Sequence, residues 1–194
     1  MDRKFFEDRG IPFACFHCLM DGKEYQDDLG KSMAPEEFYR RVAAGAMPTT
    51  AQINVEEYEE LFRPVLEEGK DVLHITLSSG ISGSINSARL AKEQLEEEFP
   101  ERKILVEDSL GASSGYGMLV MLADDMRKKG AGLEETAAWV REHRLNIHHW
   151  FFSTDLTSFI RGGRISKTAG LFGTALGICP LMNVDGEGKL VPRE

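Results

Sequence analysis

The chain has little cysteine, little positive charge and no long hydrophobic segment, and each shortage excludes a class of protein. Its 194 residues include three cysteines, and 32 Asp and Glu outnumber 23 Lys and Arg, giving a formal net charge of -9. Because nucleic-acid binding requires a basic face, this balance argues against a nucleic-acid partner. No run approaches the roughly 18 apolar residues that span a bilayer, and the charged N-terminal segment is unlike a signal peptide. We therefore expect a cytoplasmic protein without an integral membrane segment.

Two of the cysteines, Cys15 and Cys18, form a Cys-x-x-Cys motif around His17. This spacing occurs in redox centres and in half of many zinc sites. Residues 11–20, however, are mostly apolar and typical of a strand, in which residues three apart point to opposite faces. Only Cys179 remains to complete a metal site. We therefore expect a structural role for the pair, and neither a metal nor a cofactor.

Strands and helices alternate through the middle of the chain. The apolar segments 72–77 and 103–107 are typical of strands, and each is followed by a polar loop and then by a helical segment, residues 85–98 and 115–129 respectively. Such alternation predicts the α/β class, with a mostly parallel sheet that carries helices on both faces.

The pattern changes in the last quarter of the sequence. A hydrophobic strand is followed there by a glycine-rich segment, a predicted short helix over residues 170–176 and a final hairpin. A single hairpin with one helix cannot bury its own apolar face. We therefore predict one α/β domain over residues 1–146 and a partial second domain over residues 147–194.

The densest cluster of hydroxyls and glycines is Ser78-Ser-Gly-Ile-Ser-Gly-Ser84, which we call the serine loop (residues 78–84). It follows a predicted strand and precedes a predicted helix, which is where ligands of α/β sheets bind. Free backbone N–H groups, the helix dipole and the hydroxyls would together attract an anion. The simpler interpretation is a helix cap rich in turn residues.

Two other functions are compatible with parts of the pattern. A phosphate- or nucleotide-binding domain could use the serine loop, although the loop lacks the lysine of a P-loop and the three glycines of a dinucleotide fingerprint. A serine hydrolase could use Ser113, because Gly111-Ala-Ser-Ser-Gly115 matches the Gly-x-Ser-x-Gly motif. Ser113 nevertheless lies six residues past Glu107, too far beyond the predicted strand for a nucleophile elbow. Among the downstream histidines, we expect His148 and His149 to be solvated at a strand edge.

Near the end of the chain, Arg161 and Arg164 flank a pair of glycines. Glycines let a backbone approach a ligand closely, while a guanidinium group supplies positive charge. Either arginine could instead cap a helix C-terminus or pair with surface acids.

Taken in order, several motifs resemble those of the DegV family of bacterial fatty-acid-binding proteins. The resemblance covers nearly the whole chain but does not extend to the first strand of the family or to the C-terminal part of its second domain. Its most specific motif is the last of the following: Asp21-Gly-Lys-Glu-Tyr25, Pro48-Thr-Thr-Ala-Gln52, residues 77–84 with Ser87-Ala-Arg89, Val106-Glu-Asp-Ser109 and Phe159-Ile-Arg-Gly-Gly-Arg-Ile165.

The resemblance implies a carrier rather than an enzyme. Family members bury one long-chain, palmitate-like fatty acid between two α/β domains, and some present its carboxylate to a separate fatty-acid kinase. By this resemblance, residues 1–146 would bind the lipid head group and residues 147–194 would cover the acyl chain.

The resemblance also suggests the ligands of the carboxylate. The family's threonine and serine ligands fall on Thr50 and Ser82, Ser79 and Ser84 lie in the same loop as Ser82, and either Arg164 or Arg161 would lie nearby. This sequence departs from the family pattern at two of these motifs: Ala51 replaces the usual serine, and Ser84 replaces the usual threonine but retains a hydroxyl.

Overall fold

The structure is a computed structural model that describes residues 2–166 and 179–193. The helix predicted over residues 170–176 lies outside this part of the chain. The elements within the described residues are α1 (Arg3–Arg9), β1 (His17–Met20), β2 (Lys23–Gln26), α2 (Pro35–Ala43), β3 (Thr49–Ala51), α3 (Val55–Glu67), β4 (Val72–Thr76), α4 (Ser84–Glu98), β5 (Ile104–Asp108), α5 (Ser113–Lys128), α6 (Leu133–His143), a 3-10 turn (Arg144–Asn146), β6 (Trp150–Phe152), α7 (Thr157–Arg161), β7 (Leu181–Val184) and β8 (Leu190–Pro192).

The chain divides into two compact units. The first contains Met1–Val72 and Asn86–Lys103, and the second contains Leu73–Ile85 and Ile104–Glu194. Both units are therefore discontinuous in sequence. The domain boundary predicted at residue 146 stays a prediction.

The first unit contains a three-stranded antiparallel sheet in the order β2-β1-β3. The turn between β1 and β2 holds Asp21 and Gly22 at φ angles of 54° and 73°, which matches the twist that a two-residue hairpin needs. Helix α3 begins with a capping box, in which the Asn54 side chain accepts from the Glu57 N–H and the Glu57 side chain accepts from the Asn54 N–H. Its buried side chains recur every four residues: Tyr58, Phe62 and Leu66.

Strands β4 and β5 form a parallel pair that, apart from Val72, belongs to the second unit, as do helices α5, α6 and α7. The Val72 N–H donates to the Lys103 carbonyl at one end of the pair, and the Ser109 N–H donates to the Thr76 carbonyl at the other, so both strands run in the same direction. The Tyr116 hydroxyl on α5 donates to the Ile75 carbonyl at 2.7 Å. The buried core of this region comprises Ile75, Leu119, Ala123 and Val140.

A second sheet in the same unit is antiparallel and has the order β6-β7-β8. Phe151 pairs with Met182 across β6 and β7, and Met182 is fully buried together with Leu156 and Ile165. The mixed α/β class is confirmed, and the expected parallel pairing is found in β4 and β5. The other two sheets are antiparallel because tight turns join β1 to β2 and β7 to β8, and a tight turn reverses the chain direction.

Candidate functional site

The serine loop leads from β4 to α4, as the sequence predicts, and most of its backbone N–H groups already donate to acceptors within the protein. The N–H groups of residues 78 to 82 and of Ser84 all have acceptors within the protein, including Gly111 O for Ser78 and Ser78 O for Ser82. The acceptors lie within the loop itself, at the end of β5 and in the loop that follows β5. The expectation of free backbone N–H groups stays a prediction for Gly83 and for the first turn of α4, and the side-chain hydroxyls are further donors.

The base of the loop is held by Ser78, whose side chain is fully buried. Its hydroxyl donates to the Gly188 carbonyl at 2.7 Å and accepts from the Gly80 N–H at 3.1 Å. A Cβ atom at Gly80 would lie 2.6 Å from the Gly188 oxygen, so only glycine fits at this close approach. The turn between β7 and β8 therefore supports the start of the serine loop.

Ser82 and Ser84 form a hydroxyl pair at the other end of the loop. Their Oγ atoms are 2.8 Å apart, and the Ser84 N–H also approaches the Ser82 Oγ at 3.3 Å. The exposed fraction is 8% for Ser82 and 1% for Ser84. Of the two, Ser82 has the larger exposed fraction.

Ser79 is exposed, and its backbone N–H donates to the Asp108 Oδ1 at 3.2 Å. The same carboxylate oxygen accepts from the Leu110 N–H at 2.9 Å. Asp108 was not among the predicted site residues. Its position at the end of β5, directly before the loop that leads to α5, could have indicated a place in the site. The Asp108 carboxylate would repel a phosphate and a fatty-acid carboxylate alike. Asp108 therefore does not distinguish between the two ligands, and the phosphate-binding alternative stays a prediction.

The two candidate arginines have different surroundings. The Arg164 Nε donates to the Ile81 carbonyl at 3.1 Å, within the serine loop, and one terminal nitrogen donates to the Gly162 carbonyl at 2.6 Å. Arg161 is the exposed last residue of α7. The Arg164 side chain is thus hydrogen-bonded to a backbone carbonyl of the serine loop. The sequence did not predict this contact.

Thr50, the other predicted carboxylate ligand, belongs to the first unit. It lies on β3, where it is exposed and pairs with Cys18 of β1. The second unit, by contrast, contains Ser79, Ser82, Ser84, Arg161 and Arg164. The role of Thr50 as a ligand stays a prediction.

The Gly-x-Ser-x-Gly motif lies at the start of α5, where Ser113 is exposed and has a φ of 51°. The Nε2 atom of His149 accepts a hydrogen bond from the Ala112 N–H at 3.3 Å. This lone pair is the one that a general base would need, so the contact argues against a Ser113–His149 hydrolase. The expectation that His149 is solvated is also wrong, because the imidazole packs against Gly111 and Gly115. His148 is exposed, as expected.

Burial raises the pKa of the Cys15 and Cys18 thiols above their ordinary value. A raised pKa favours the unreactive thiol over the thiolate, which agrees with a structural role for the pair. Within residues 2–166 and 179–193, no helix combines the length and the apolar character needed to cross a bilayer.

Residues 1–194 match the family described as "Uncharacterised protein, DegV family", so the chain belongs to the DegV family. A DegV domain-containing protein of Clostridium perfringens is 34% identical over 190 residues, which are 98% of this chain and 65% of that protein. The predicted family resemblance is thereby confirmed. The chain spans about two thirds of the length of this relative.

Solved structures of the same family share the fold. One is described as showing fatty acid binding of a DegV family protein from Thermus thermophilus, and it has a TM-score of 0.84 and 31% identity over 100% of this chain and 67% of that one. A second is a stearic acid-binding protein from Eubacterium ventriosum, with a TM-score of 0.90 and 25% identity over 100% of this chain and 66% of that one.

Proposed function

We propose that this protein binds a long-chain, palmitate-like fatty acid and that the Ser82 hydroxyl donates a hydrogen bond to its carboxylate. The observation that carries the proposal is the hydroxyl pair of Ser82 and Ser84, in a loop where the N–H groups of residues 78–82 and 84 already have acceptors. The fatty acid binding described for the Thermus thermophilus protein and the stearic acid named for the Eubacterium ventriosum protein support the ligand class.

The energetics of such binding divide between tail and head group. Each buried CH₂ group contributes about 0.8 kcal/mol, so a sixteen-carbon chain gains on the order of 10 kcal/mol before the cost of ordering it. A buried carboxylate without partners costs several kcal/mol, and charge-assisted hydrogen bonds offset this cost. The tail therefore supplies affinity, while the hydroxyls fix the orientation of the acid.

The rest of the family-based prediction belongs to the same proposal. The protein acts as a carrier that performs no covalent chemistry and presents the carboxylate to a separate fatty-acid kinase. Thr50 is a second proposed contact for the carboxylate. Arg164 is the proposed nearby arginine, with Ser79 and Arg161 as weaker candidates. We also propose a cytoplasmic location, on the basis of the composition and the few cysteines.

Organic extraction of the purified protein followed by mass spectrometry tests the proposal. We expect close to one fatty acid per chain, and we expect delipidated protein to bind added palmitate. Ser82→Ala and Thr50→Val should each weaken palmitate binding by about 1 to 3 kcal/mol, because each removes a hydrogen bond to a charged group. Ser113→Ala is the matched control and should leave binding unchanged.

Two results would contradict the proposal. One is a purified chain that carries no lipid and binds no palmitate after delipidation, while circular dichroism shows that it is folded. The other is ester hydrolysis that Ser113→Ala abolishes, which would restore the hydrolase alternative.

A further inference from the structure

The direction of the hydrogen bond between Ser82 and Ser84 determines what Ser82 can offer to a ligand, a role that rests on the proposed function. The two Oγ atoms are 2.8 Å apart, so one hydroxyl donates to the other. The Ser84 N–H is a second donor close to the Ser82 oxygen, at 3.3 Å. Ser84 therefore approaches Ser82 with both its backbone and its side chain.

A serine hydroxyl has one proton to donate and two lone pairs that accept. When Ser84 donates its hydroxyl proton, its O–H and N–H groups together occupy both acceptor positions of Ser82. Ser82 is then left with only its proton for any further partner. In the opposite arrangement, Ser82 donates its proton to Ser84 and presents a lone pair to any further partner.

A carboxylate accepts hydrogen bonds and donates none. Only the first arrangement gives it a partner, whereas the second places a lone pair against a negative charge. Hydrogen bonds in a chain also polarise one another, so a proton donated by Ser84 strengthens the bond that Ser82 donates. With an exposed fraction of 1%, Ser84 acts through Ser82 rather than on the ligand itself.

We propose that Ser84 is a positioning residue that commits the Ser82 hydroxyl to donate its proton to the fatty-acid carboxylate. Two serines that are equivalent candidates in the sequence thus have different roles: Ser82 contacts the carboxylate, and Ser84 orients the Ser82 hydroxyl. It also makes the site selective for an ionised acid, because a fatty alcohol or a methyl ester offers a weaker acceptor for the same proton.

Two substitutions of equal size isolate the hydroxyl of Ser84. Ser84→Thr retains the O–H group, and Ser84→Val replaces it with a methyl group of the same shape. The affinity of the delipidated protein for palmitate is measured by displacement of a fluorescent fatty acid. We expect Ser84→Thr to remain within about threefold of the natural protein, and Ser84→Val to bind about tenfold more weakly, the usual effect of one such hydrogen bond.

A double-mutant cycle distinguishes positioning from a general structural effect. If Ser84 acts through Ser82, Ser84→Val should have no further effect in a chain that already carries Ser82→Ala. The carboxyl group of bound [1-13C]palmitate gives a second readout by NMR. Its pKa should rise in Ser84→Val and return to the natural value in Ser84→Thr, because hydrogen bonds donated to a carboxylate lower its pKa.

Equal affinities of the Thr and Val variants, or losses that add fully in the Ser82→Ala background, would overturn the positioning role while leaving fatty-acid binding intact. A natural protein that binds no palmitate would overturn both proposals. Because a Val variant can misfold, Ser84→Ala is measured in parallel by circular dichroism and palmitate binding. Undiminished affinity in Ser84→Ala would also overturn the positioning role.

Discussion

The imidazole of His149 lies against the first turn of helix α5, where its Nε2 atom accepts a hydrogen bond from the Ala112 N–H at 3.3 Å. Gly111 and Gly115 leave the space that the ring occupies, and a Cβ atom at Gly111 would lie 2.8 Å from it. An acceptor at a helix N-terminus satisfies one of the N–H groups that the helix leaves unpaired. His149 therefore supplies an acceptor for the N–H of the N-cap residue itself, while the alanine side chain caps no N–H group of the first turn.

The first prediction concerns this contact. Gly115→Ala should displace the imidazole and destabilise the protein by about 1 kcal/mol, the cost of losing one hydrogen bond. In a chain that already carries His149→Ala, the same substitution should instead stabilise the protein by up to about 1 kcal/mol, because alanine favours the helix over glycine. Free energies of unfolding from urea titrations measure both effects.

A control for this cycle is Gly186→Ala, where an added Cβ atom meets no atom within 4 Å. It should change the free energy of unfolding by less than about 0.5 kcal/mol. An effect of Gly115→Ala that is identical with and without His149 would contradict the contact.

The second prediction is a loss of stability in mild acid. Burial lowers the pKa of His74 from 6.5 to about 4, and burial also lowers the pKa of His149. Between the folded and unfolded pKa values, the unfolded chain binds more protons than the folded one, so stability rises with pH. The contribution of the neutral histidines to the free energy of unfolding is complete above pH 6.5, and it is lost as the pH falls toward 4. For His74 it amounts to about 3 kcal/mol at most.

Urea titrations at pH 7.5 and at pH 5 measure this dependence. The fall in the free energy of unfolding between the two pH values should be smaller in His74→Leu, which has no proton to gain. If the natural protein and His74→Leu lost equal stability over this range, the acid sensitivity would lie elsewhere.

The third prediction compares two neighbours on α5. Leu119 has an exposed fraction of 1% and packs in the core with Ile75 and Val140. Leu119→Ala should therefore cost about 2 to 5 kcal/mol, from lost burial and from the cavity left behind. Met118 has an exposed fraction of 46%, and Met118→Ala should cost less than about 1 kcal/mol. Thermal unfolding of the two variants measures the difference in stability. Equal losses of stability would contradict the burial of Leu119 and the exposure of Met118.

The fourth prediction separates the two arginines and rests on the proposed function. Arg164→Ala removes the donor to the Ile81 carbonyl, which loosens the serine loop and should weaken palmitate binding about fivefold to tenfold, the effect of one hydrogen bond. Arg161→Ala changes an exposed residue and should alter binding less than about twofold. Fluorescent displacement titrations provide the measurement. The reverse ranking would identify Arg161, rather than Arg164, as the arginine that matters at the carboxylate.

Sequence patterns located the secondary structure around the serine loop to within two residues. The strand predicted over residues 72–77 is observed as Val72–Thr76, and the helix predicted over residues 85–98 is observed as Ser84–Glu98. Such elements follow from local apolar patterns and turn residues, which act over a few positions. Strand direction was harder to predict, because it depends on which segments pair rather than on any one segment.

The amino-acid sequence by itself determined the family, the α/β class and the supply of hydroxyls in the serine loop, because motifs and local propensities are properties of neighbouring residues. The tertiary structure alone decided how those groups are used. The partner of Ser78 is 110 residues away at Gly188, and that of Ala112 is 37 residues away at His149. Whether a polar group remains available to a ligand depends on such distant partners, since each donor bonds to the acceptor that folding brings to it.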